Sequence, residues 1–339
     1  MAVRPRVFVT RHLPGDALDF LRRYADVTVW PGDLPPPAEA LAAQAAACHG
    51  LLTLLTDRVD AALLDGAPNL LVVSNMATGF DNIDVTAASQ RSVLVTRTPG
   101  VLSRTVAEFT FALLLAAARR VVEGDRHVRR GLWKTWGPEV LLGRDLREAT
   151  LGIVGMGGIG QMVARLAQPF GMRIVYNSRA RKPGLEKRYR MSFLPLDALL
   201  RESDFVTLHV PLTLETDGLI GAPQLGLMKP TAVLVNTGRG RLVDTQALCE
   251  ALRRGWIAAA ALDVTEPEPL PSDHPLLGLD NVIVTPHIAS ASVATRAGMA
   301  MLAAQNLVQA FSGSVPRHVV NRQIARRWRT RLRRILPPS

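Results

Sequence analysis

The sequence predicts an α/β protein built from two doubly wound, parallel-sheet domains. Its 339 residues exceed what one ordinary hydrophobic core accommodates, so two domains are expected. Short apolar runs alternate with helical segments in two successive series, which is typical of parallel sheets covered by helices on both faces. The second series begins with GMGGIG between a strand-like run and a helix-like run. This motif predicts a glycine-rich turn at the edge where such sheets bind ligands.

The first series occupies about the first hundred residues. Strands are predicted at RVFVT, LLTLL, LLVVSNM and SVLVTRT, and a helix at AEALAAQAAACHG. A long helix is expected to run from about Ser103 to His127 and to leave this domain.

The second series runs from TLGIVGMGGIG to the neighbourhood of His287. Enough strands for a complete doubly wound sheet are predicted, near residues 151–155, 173–177, 205–209, 232–236, 259–263 and 282–285. A helix from about Val293 to Gly313 is then expected to pack on the first domain. The second domain is therefore inserted into a discontinuous first domain, and a cleft is expected between them. The expected bounds are 1–100 and 290–321 for the first domain, 101–289 for the second, and 322–339 for a C-terminal tail.

The composition fits an ordinary globular protein, because 48% of the residues are apolar and 20% are charged. The net charge is +11, but seven arginines and no acid follow from residue 322 onward, so the rest carries only about +4. That charge suits an enzyme of anionic substrates better than a nucleic-acid-binding protein. Cys48 and Cys249 fit neither a disulfide framework nor a metal site. The N-terminus lacks a signal-peptide pattern, and FTFALLLAAA is too short to span a bilayer. A cytoplasmic protein is therefore expected, without metal, membrane or nucleic-acid partners.

The motif GMGGIG at residues 155–160 predicts a dinucleotide site of the Rossmann type. In this pattern Gly155 permits the tight turn, Gly157 lets a pyrophosphate approach the backbone, and Gly160 allows close packing of helix and strand. Gly158 and Ile159 are also candidate cofactor-binding residues, and the following helix QMVARLAQPF would present its N-terminal N–H groups to the phosphates. The alternative is an ordinary glycine-rich turn.

The end of the next strand favours NADP(H) over NAD(H), although NAD(H) remains possible. An NAD site places an acid there, whereas this chain reads RIVYNSRARK without an acid. Ser178, Arg179 and Arg181 are therefore candidates for binding a 2′-phosphate, with Arg179 as the main contact, because guanidinium groups form charge-assisted hydrogen bonds to phosphate. The alternative is a solvated basic loop.

Three further residues follow predicted strands: Arg239, Glu268 and His287. Because residues just past parallel strands line the ligand crevice, these side chains are expected to converge. A guanidinium, a carboxylate and an imidazole are the groups needed to hold a 2-oxo acid and to protonate its carbonyl during hydride transfer. Taken singly, each could instead be a structural or surface residue.

Several motifs in order resemble the D-isomer-specific 2-hydroxyacid dehydrogenase family over roughly residues 5 to 321: GMGGIG, LHVPLT, MKPTAVLVNTGRG, LDVTEPEPLP and PHIAS. The segments LLTLLTDRVD, NMATGFDNID, GLWKTWGPEVLLG and LPSDHPLL are similar to its glyoxylate/hydroxypyruvate reductase branch. The resemblance implies a Rossmann domain inserted into a flavodoxin-like substrate domain. It also implies reduction of a small 2-oxo acid, glyoxylate to glycolate or hydroxypyruvate to D-glycerate.

The resemblance assigns roles to individual residues. Arg239 would hold the substrate's carboxylate and carbonyl oxygen, and His287 would donate the proton. Glu268 would fix the tautomer of His287 and favour its protonated form. The backbone N–H groups of Thr78 and Gly79 would bind the substrate carboxylate, although the branch often has a small aliphatic residue at position 78. Asp263 would lie near the cofactor. The other implied cofactor-binding residues are Pro211, Thr237, Gly238 and Ala289.

The resemblance also implies a homodimer, in which Trp133 or Trp136 would reach the partner subunit. The alternative is that the two tryptophans pack in the core of their own subunit. The tail extends past the usual end of the family, with Ile324, Trp328, Leu332 and Ile335 at near-helical spacing. A basic amphipathic helix on a membrane or nucleic acid, a disordered tail, and a helix docked on its own domain all fit this pattern.

Other functions remain open at this point. Within the family these are 2-ketogluconate and phosphoglycerate dehydrogenases, whereas formate dehydrogenases have Gln in place of Glu268. A non-catalytic, dinucleotide-sensing co-repressor is the alternative of another class.

Overall fold

A computed structural model describes residues 4–337, which form two compact units. The first unit comprises the described residues up to Leu102 together with those from Ser292 onward. The second unit comprises Ser103–Ala291.

The first unit contains a five-stranded, fully parallel sheet in the order β2-β1-β3-β4-β5. Its N-terminal elements are β1 (Arg6–Val9), α1 (Ala17–Arg22), β2 (Asp26–Val29), α2 (Ala38–Ala47), β3 (Gly50–Thr53), α3 (Ala61–Asp65), β4 (Val72–Asn75), α4 (Val85–Gln90) and β5 (Leu94–Thr96). Every residue of β3 and β4 is buried, as expected of strands covered by helices on both faces.

The second unit contains a seven-stranded parallel sheet in the order β12-β11-β10-β9-β6-β7-β8. Its elements are α5 (Ser103–Ala118), α6 (Val121–Arg129), β6 (Thr150–Val154), α7 (Gly158–Ala167), β7 (Arg173–Asn177), α8 (Pro183–Tyr189), β8 (Ser192–Phe193), α9 (Leu196–Glu202), β9 (Phe205–Leu208), α10 (Ala222–Leu227), β10 (Val233–Asn236), α11 (Thr245–Arg253), β11 (Ala259–Leu262) and β12 (Val282–Val284). The strand order reverses between β6 and β9, which is the switch point where such sheets bind ligands. The two parallel sheets confirm the predicted α/β fold class.

Two edge strands were not identified in the sequence. β2 has the sequence DVTV, and its residues alternate between exposed and half-buried instead of forming an apolar run. β8 is only two residues long. Edge strands bury fewer side chains than central strands, so their hydrophobic signal is weak.

The expected single helix from Ser103 to His127 is wrong, because the chain forms α5 and α6 with a break at Arg120. Arg120 adopts a left-handed conformation with a φ of +53°. The carbonyl of Ala118 accepts a hydrogen bond from the Arg144 N–H at 2.8 Å. A Cβ on Gly143 would lie 2.5 Å from this carbonyl oxygen, so a later segment packs directly against the end of α5.

Two helices complete the first unit. The helix α12 (Val293–Phe311) packs against α1, β3 and β4, as the sequence predicted. The final helix, α13 (Ala325–Ile335), is docked on its own unit, which was one of the alternatives for the tail. Trp328 is fully buried and donates from Nε1 to the carbonyl of Leu71 at 3.1 Å. The apolar face that a membrane-surface helix would need is thus covered by protein. Among residues 4–337, no helix is long and apolar enough to cross a bilayer.

Candidate active site

At and just after the turn between β6 and α7, two glycines lie where a side chain would clash, and a third lies where a side chain would meet no atom. Gly155 has a φ of +104°, and a Cβ there would lie 2.6 Å from the carbonyl carbon of His209. A Cβ on Gly160 would lie 2.0 Å from the carbonyl oxygen of Gly155. A Cβ on Gly157, in contrast, would meet no atom within 4 Å, so a ligand can approach the backbone there. This cradle and the N–H groups at the start of the ten-residue helix α7 fit the phosphates of a dinucleotide.

Ser103 is a polar neighbour of this turn that sequence reasoning missed. Gly158 and Ile159 are the first residues of α7, and a Cβ on Gly158 would lie 3.2 Å from Oγ of Ser103. Ser103 begins α5, so its proximity arises from the packing of α5 against α7. Such a contact between separate helices leaves no local signal in the sequence.

His209 lies at the switch point, directly after β9, and received no role from the sequence although it belongs to LHVPLT. Both of its ring nitrogens are shielded from solvent and have no hydrogen-bond partner among residues 4–337. Burial lowers the pKa of His209 to about 3. The imidazole is therefore neutral at ordinary pH, and the backbone of His209 packs beside Gly155.

The basic loop after β7 contains two arginines in different environments. Arg181 forms an ion pair with Glu186 at 2.8 Å, and the hydroxyl of Tyr176 donates to the same carboxylate at 2.7 Å. Arg179 is exposed, and within the described part of the chain it makes no hydrogen bond or ion pair. Ser178 donates from Oγ to the carbonyl of Ala180 at 2.6 Å. Of the three residues expected to bind a 2′-phosphate, Arg179 is therefore the one whose charge is not already engaged by another group of the described chain.

The turn that carries Arg239 is held by Asn236, the buried last residue of β10. The side-chain amide of Asn236 donates to the carbonyl of Arg239 at 2.8 Å, and its oxygen accepts from the Gly238 N–H at 3.0 Å. A Cβ on Gly240 would lie 1.9 Å from the carbonyl oxygen of Thr265, so only glycine lets this turn contact the loop after β11. The structure thereby brings Arg239 near the loop that contains Glu268.

Glu268 and His287 form a hydrogen-bonded pair. Nδ1 of His287 lies 2.5 Å from Oε1 of Glu268, and 21% and 35% of the two side chains are exposed, respectively. Because a carboxylate only accepts, Nδ1 carries the proton of this bond, and Nε2 is the second ring nitrogen. Burial raises the pKa of Glu268, but the hydrogen bond and positive charge of His287, the Thr265 N–H and the charge of Arg239 together lower it. The three predicted catalytic side chains are therefore electrostatically coupled.

Asp263 holds the loop on which His287 lies. Its carboxylate is 1% exposed. One oxygen accepts from Thr285 Oγ1 at 2.6 Å and from the Ile288 N–H at 2.9 Å, and the other accepts from the Ala289 N–H at 2.7 Å. His287 itself has a left-handed φ of +55°, and its N–H donates to the carbonyl of Asp263. Asp263 thus fixes the loop, which sequence reasoning did not foresee.

The remaining candidate cofactor residues are engaged within the second unit. The hydroxyl of Thr237 is 3.0 Å from that of Thr110 on α5. The carbonyl of Pro211 accepts from Thr216 Oγ1 at 2.7 Å. These contacts shape the ends of β9 and β10, next to the glycine-rich turn.

In the first unit, Thr78 and Gly79 lie in a loop held by its carbonyl groups. Asn75 donates to the carbonyl of Gly79 at 3.0 Å, and Arg97 donates to that of Thr78 at 3.3 Å. Arg97 also stacks on the ring of Phe80. The N–H groups of Thr78 and Gly79 have no partner in the part of the chain that the structure describes. Two adjacent unpartnered N–H groups are suited to binding an anion.

The chain is similar in sequence to 2-hydroxyacid dehydrogenases and glyoxylate reductases. Residues 111–289 match the family described as D-isomer specific 2-hydroxyacid dehydrogenase, NAD binding domain. A glyoxylate reductase of Aeropyrum pernix is 55% identical over 327 residues, which cover 95% of this chain and 98% of that enzyme.

Two solved structures share the fold over nearly their whole length. A protein from Thermus thermophilus has a TM-score of 0.88 at 50% identity, covering 93% of this chain and 99% of that one. An NADPH-dependent glyoxylate/hydroxypyruvate reductase from Sinorhizobium meliloti, in complex with NADP and malonate, has a TM-score of 0.84 at 34% identity. The match covers 94% of this chain and 97% of that one.

Proposed function

Because the chain belongs to the D-isomer specific 2-hydroxyacid dehydrogenase family, in its glyoxylate reductase branch, we propose that it reduces glyoxylate and hydroxypyruvate with NADPH as the preferred cofactor. It is an oxidoreductase with a nicotinamide-dinucleotide-binding domain. The observation that carries the proposal is the hydrogen-bonded pair of His287 and Glu268, which is electrostatically coupled to Arg239.

These residues supply the chemistry that carbonyl reduction needs. When bound, the nicotinamide supplies the hydride that reaches the carbonyl carbon. Arg239 binds the 2-oxo acid through its planar fork. His287 donates a proton to the carbonyl oxygen, which completes the 2-hydroxy acid. Glu268 accepts from Nδ1 and stabilises the imidazolium, so Nε2 is the proton donor.

In the first unit, we propose that the N–H groups of Thr78 and Gly79 bind a substrate carboxylate. Their lack of a partner within residues 4–337 supports this role. Asn75 and Arg97 act as positioning residues, since they hold the carbonyl groups of the same loop.

The preference for NADPH rests on the loop after β7. No carboxylate follows β7 directly, and the one nearby, Glu186, is already paired with Arg181. Arg179 and Ser178 are then the groups that bind a 2′-phosphate. The NADP carried by the similar Sinorhizobium meliloti enzyme is consistent with this assignment.

We also propose that the chain forms a homodimer through the segment that follows α6. Trp133 is 62% exposed and Trp136 is 80% exposed. Leu132 and Leu142 are also more than half exposed. Apolar side chains clustered in this way on a surface mark an interaction site.

Initial rates of NADPH and NADH oxidation with glyoxylate and with hydroxypyruvate test the function. Rapid turnover with NADPH and much slower turnover with NADH is the expected result. Turnover with NADH alone would contradict the assignment of Arg179 to a 2′-phosphate. Turnover only with a larger acid such as 2-ketogluconate would contradict the assignment of glyoxylate and hydroxypyruvate as substrates. Dinucleotide binding without turnover of any 2-oxo acid would favour a sensing role.

A further inference from the structure

A groove on the first unit, lined by none of the candidate catalytic or cofactor-binding residues, contains four arginines. One wall is α13, which contributes Arg327, Arg331 and Arg334, and the opposite wall includes Asp65 and Arg91 near the ends of α3 and α4. The spacing of four and three residues places the three helical arginines on one face. The groove has a volume of about 490 Å³, in the range of small-molecule sites.

The charge of this groove is not balanced by the protein. Asp65 is the one carboxylate among the described residues that line it, and it is paired with Arg91, with 2.7 Å between Nε and Oδ1. Arg331 donates to the carbonyls of Arg91 and Pro68 instead of to an acid. Arg334 makes no hydrogen bond or ion pair within residues 4–337. Four arginines and one aspartate leave a local charge of +3.

The arrangement has an electrostatic cost that an anion would relieve. Burial, and then the charge of Arg334, lower the pKa of Arg331, which means that its charged form is disfavoured where it lies. The buried Trp328 fixes the backbone of α13 through its hydrogen bond to Leu71, and the carbonyls of Arg91 and Pro68 hold the guanidinium of Arg331 before a ligand arrives. Preorganised donors lose less entropy on binding than mobile ones.

We propose that this groove binds a small di- or polyphosphate. Guanidinium groups form charge-assisted, paired hydrogen bonds with phosphate oxygens. A single phosphate ester carries only about −1.5 to −2 charges at neutral pH, so two or more linked phosphate groups match +3 better. Pro68, which is exposed, also lines the groove and offers apolar surface to the rest of such a ligand. The arginines lie around one concavity and not along an extended stripe, which favours a small ligand over nucleic acid.

Isothermal titration of the full-length protein with inorganic tripolyphosphate at low ionic strength tests this site. Wild type is expected to bind one equivalent with saturation, and Arg334→Ala and Arg327→Ala each to weaken binding by roughly tenfold, as the loss of a charge-assisted hydrogen bond predicts. Arg333→Ala is the matched control, because Arg333 is exposed on the same helix but does not line the groove. It is expected to weaken binding less than Arg334→Ala does, because its guanidinium does not line the groove and acts on the ligand only through long-range charge. Arg179→Ala is expected to leave the affinity unchanged, which separates this site from the dinucleotide site.

Three results would overturn the proposal. The first is no saturable binding by wild type. The second is a loss in Arg333→Ala equal to that in Arg334→Ala, which would indicate a diffuse basic surface. The third is tighter binding of a short DNA duplex than of tripolyphosphate, with all three arginine variants of α13 weakened alike, which would indicate a nucleic-acid surface instead.

Discussion

The carboxylate of Glu268 shows how the charge of one residue depends on its neighbours. Burial alone would favour the neutral acid and raise its pKa, but His287, the Thr265 N–H and Arg239 together lower it. A lowered pKa means that Glu268 stabilises the folded state above its ordinary pKa, and that this contribution is lost as the pH falls through the lowered value. Across the neutral range, His287 therefore has an anionic partner.

Replacing Glu268 by Gln is expected to narrow the pH range of carbonyl reduction. The variant keeps a hydrogen-bonding group but loses the negative charge that stabilises the imidazolium. The alkaline limit of kcat/KM for glyoxylate should then move to lower pH, because the proton on the imidazole loses its anionic neighbour. Profiles between pH 5 and pH 9 measure this shift. Glu266→Gln, an exposed residue of the same loop, is the control. Identical profiles for wild type and Glu268→Gln would contradict the role.

Among the secondary-structure elements, the loop after β7 shows what spacing does and does not predict. Three cations in RARK predicted a basic loop, and this loop is present. The sequence could not distinguish Arg179 from Arg181, because the pairing of Arg181 depends on Glu186 turning back from α8. Only the folded geometry separates an available guanidinium from a paired one.

Arg179→Ala is expected to weaken NADPH binding by roughly tenfold to a hundredfold, as the loss of a charge-assisted hydrogen bond predicts. NADH binding should change little, because NADH lacks the 2′-phosphate. Arg181→Ala serves as the matched comparison and should cost less, since its guanidinium is already paired with Glu186. Fluorescence titration gives the dissociation constants of NADPH and NADH for each of the two variants and for wild type. Equal losses of NADPH and NADH affinity in Arg179→Ala would exclude a 2′-phosphate contact.

His209, whose ring nitrogens are shielded from solvent after β9, is expected to make stability depend on pH. Its folded-state pKa of about 3 lies below the ordinary value of 6.5, so the unfolded chain binds the proton more readily between these values. Stability from this residue is therefore full above pH 6.5 and is lost as the pH falls toward 3. His209→Leu should reduce the difference between urea midpoints at pH 7 and pH 5. His12→Leu, at an exposed histidine, should leave the difference unchanged. An unaltered difference in His209→Leu would count against this interpretation.

For the whole molecule, the sequence predicted the two parallel sheets because each central strand is an apolar run bounded by turn residues. It also predicted that Arg239, Glu268 and His287 would converge, because each follows such a run, and the three side chains do come together. The sequence did not predict contacts between residues far apart in the chain. The bond from Trp328 to Leu71 joins residues 257 positions apart. The break at Arg120 likewise depends on Arg144 and Gly143 packing on the end of α5. Local periodicity reports burial, but not which distant segment provides it.

Self-association is expected to depend on the exposed tryptophans. The double variant Trp133→Ser/Trp136→Ser should elute as a monomer where wild type is a dimer, because it removes the two large exposed aromatic rings of this segment. Light scattering coupled to size-exclusion chromatography gives the mass. Leu214→Ser is the control, since Leu214 is 99% exposed elsewhere in the second unit. A monomeric wild type, or a double variant that stays dimeric, would refute the assignment.

The most direct measurement compares wild type with His287→Ala in glyoxylate reduction at saturating NADPH, with dinucleotide affinity measured alongside. Losing the proton donor should lower kcat by about a hundredfold or more and leave NADPH affinity nearly unchanged. Turnover by His287→Ala close to that of wild type would contradict the assignment of the proton donor, and with it the catalytic role of the His287–Glu268 pair.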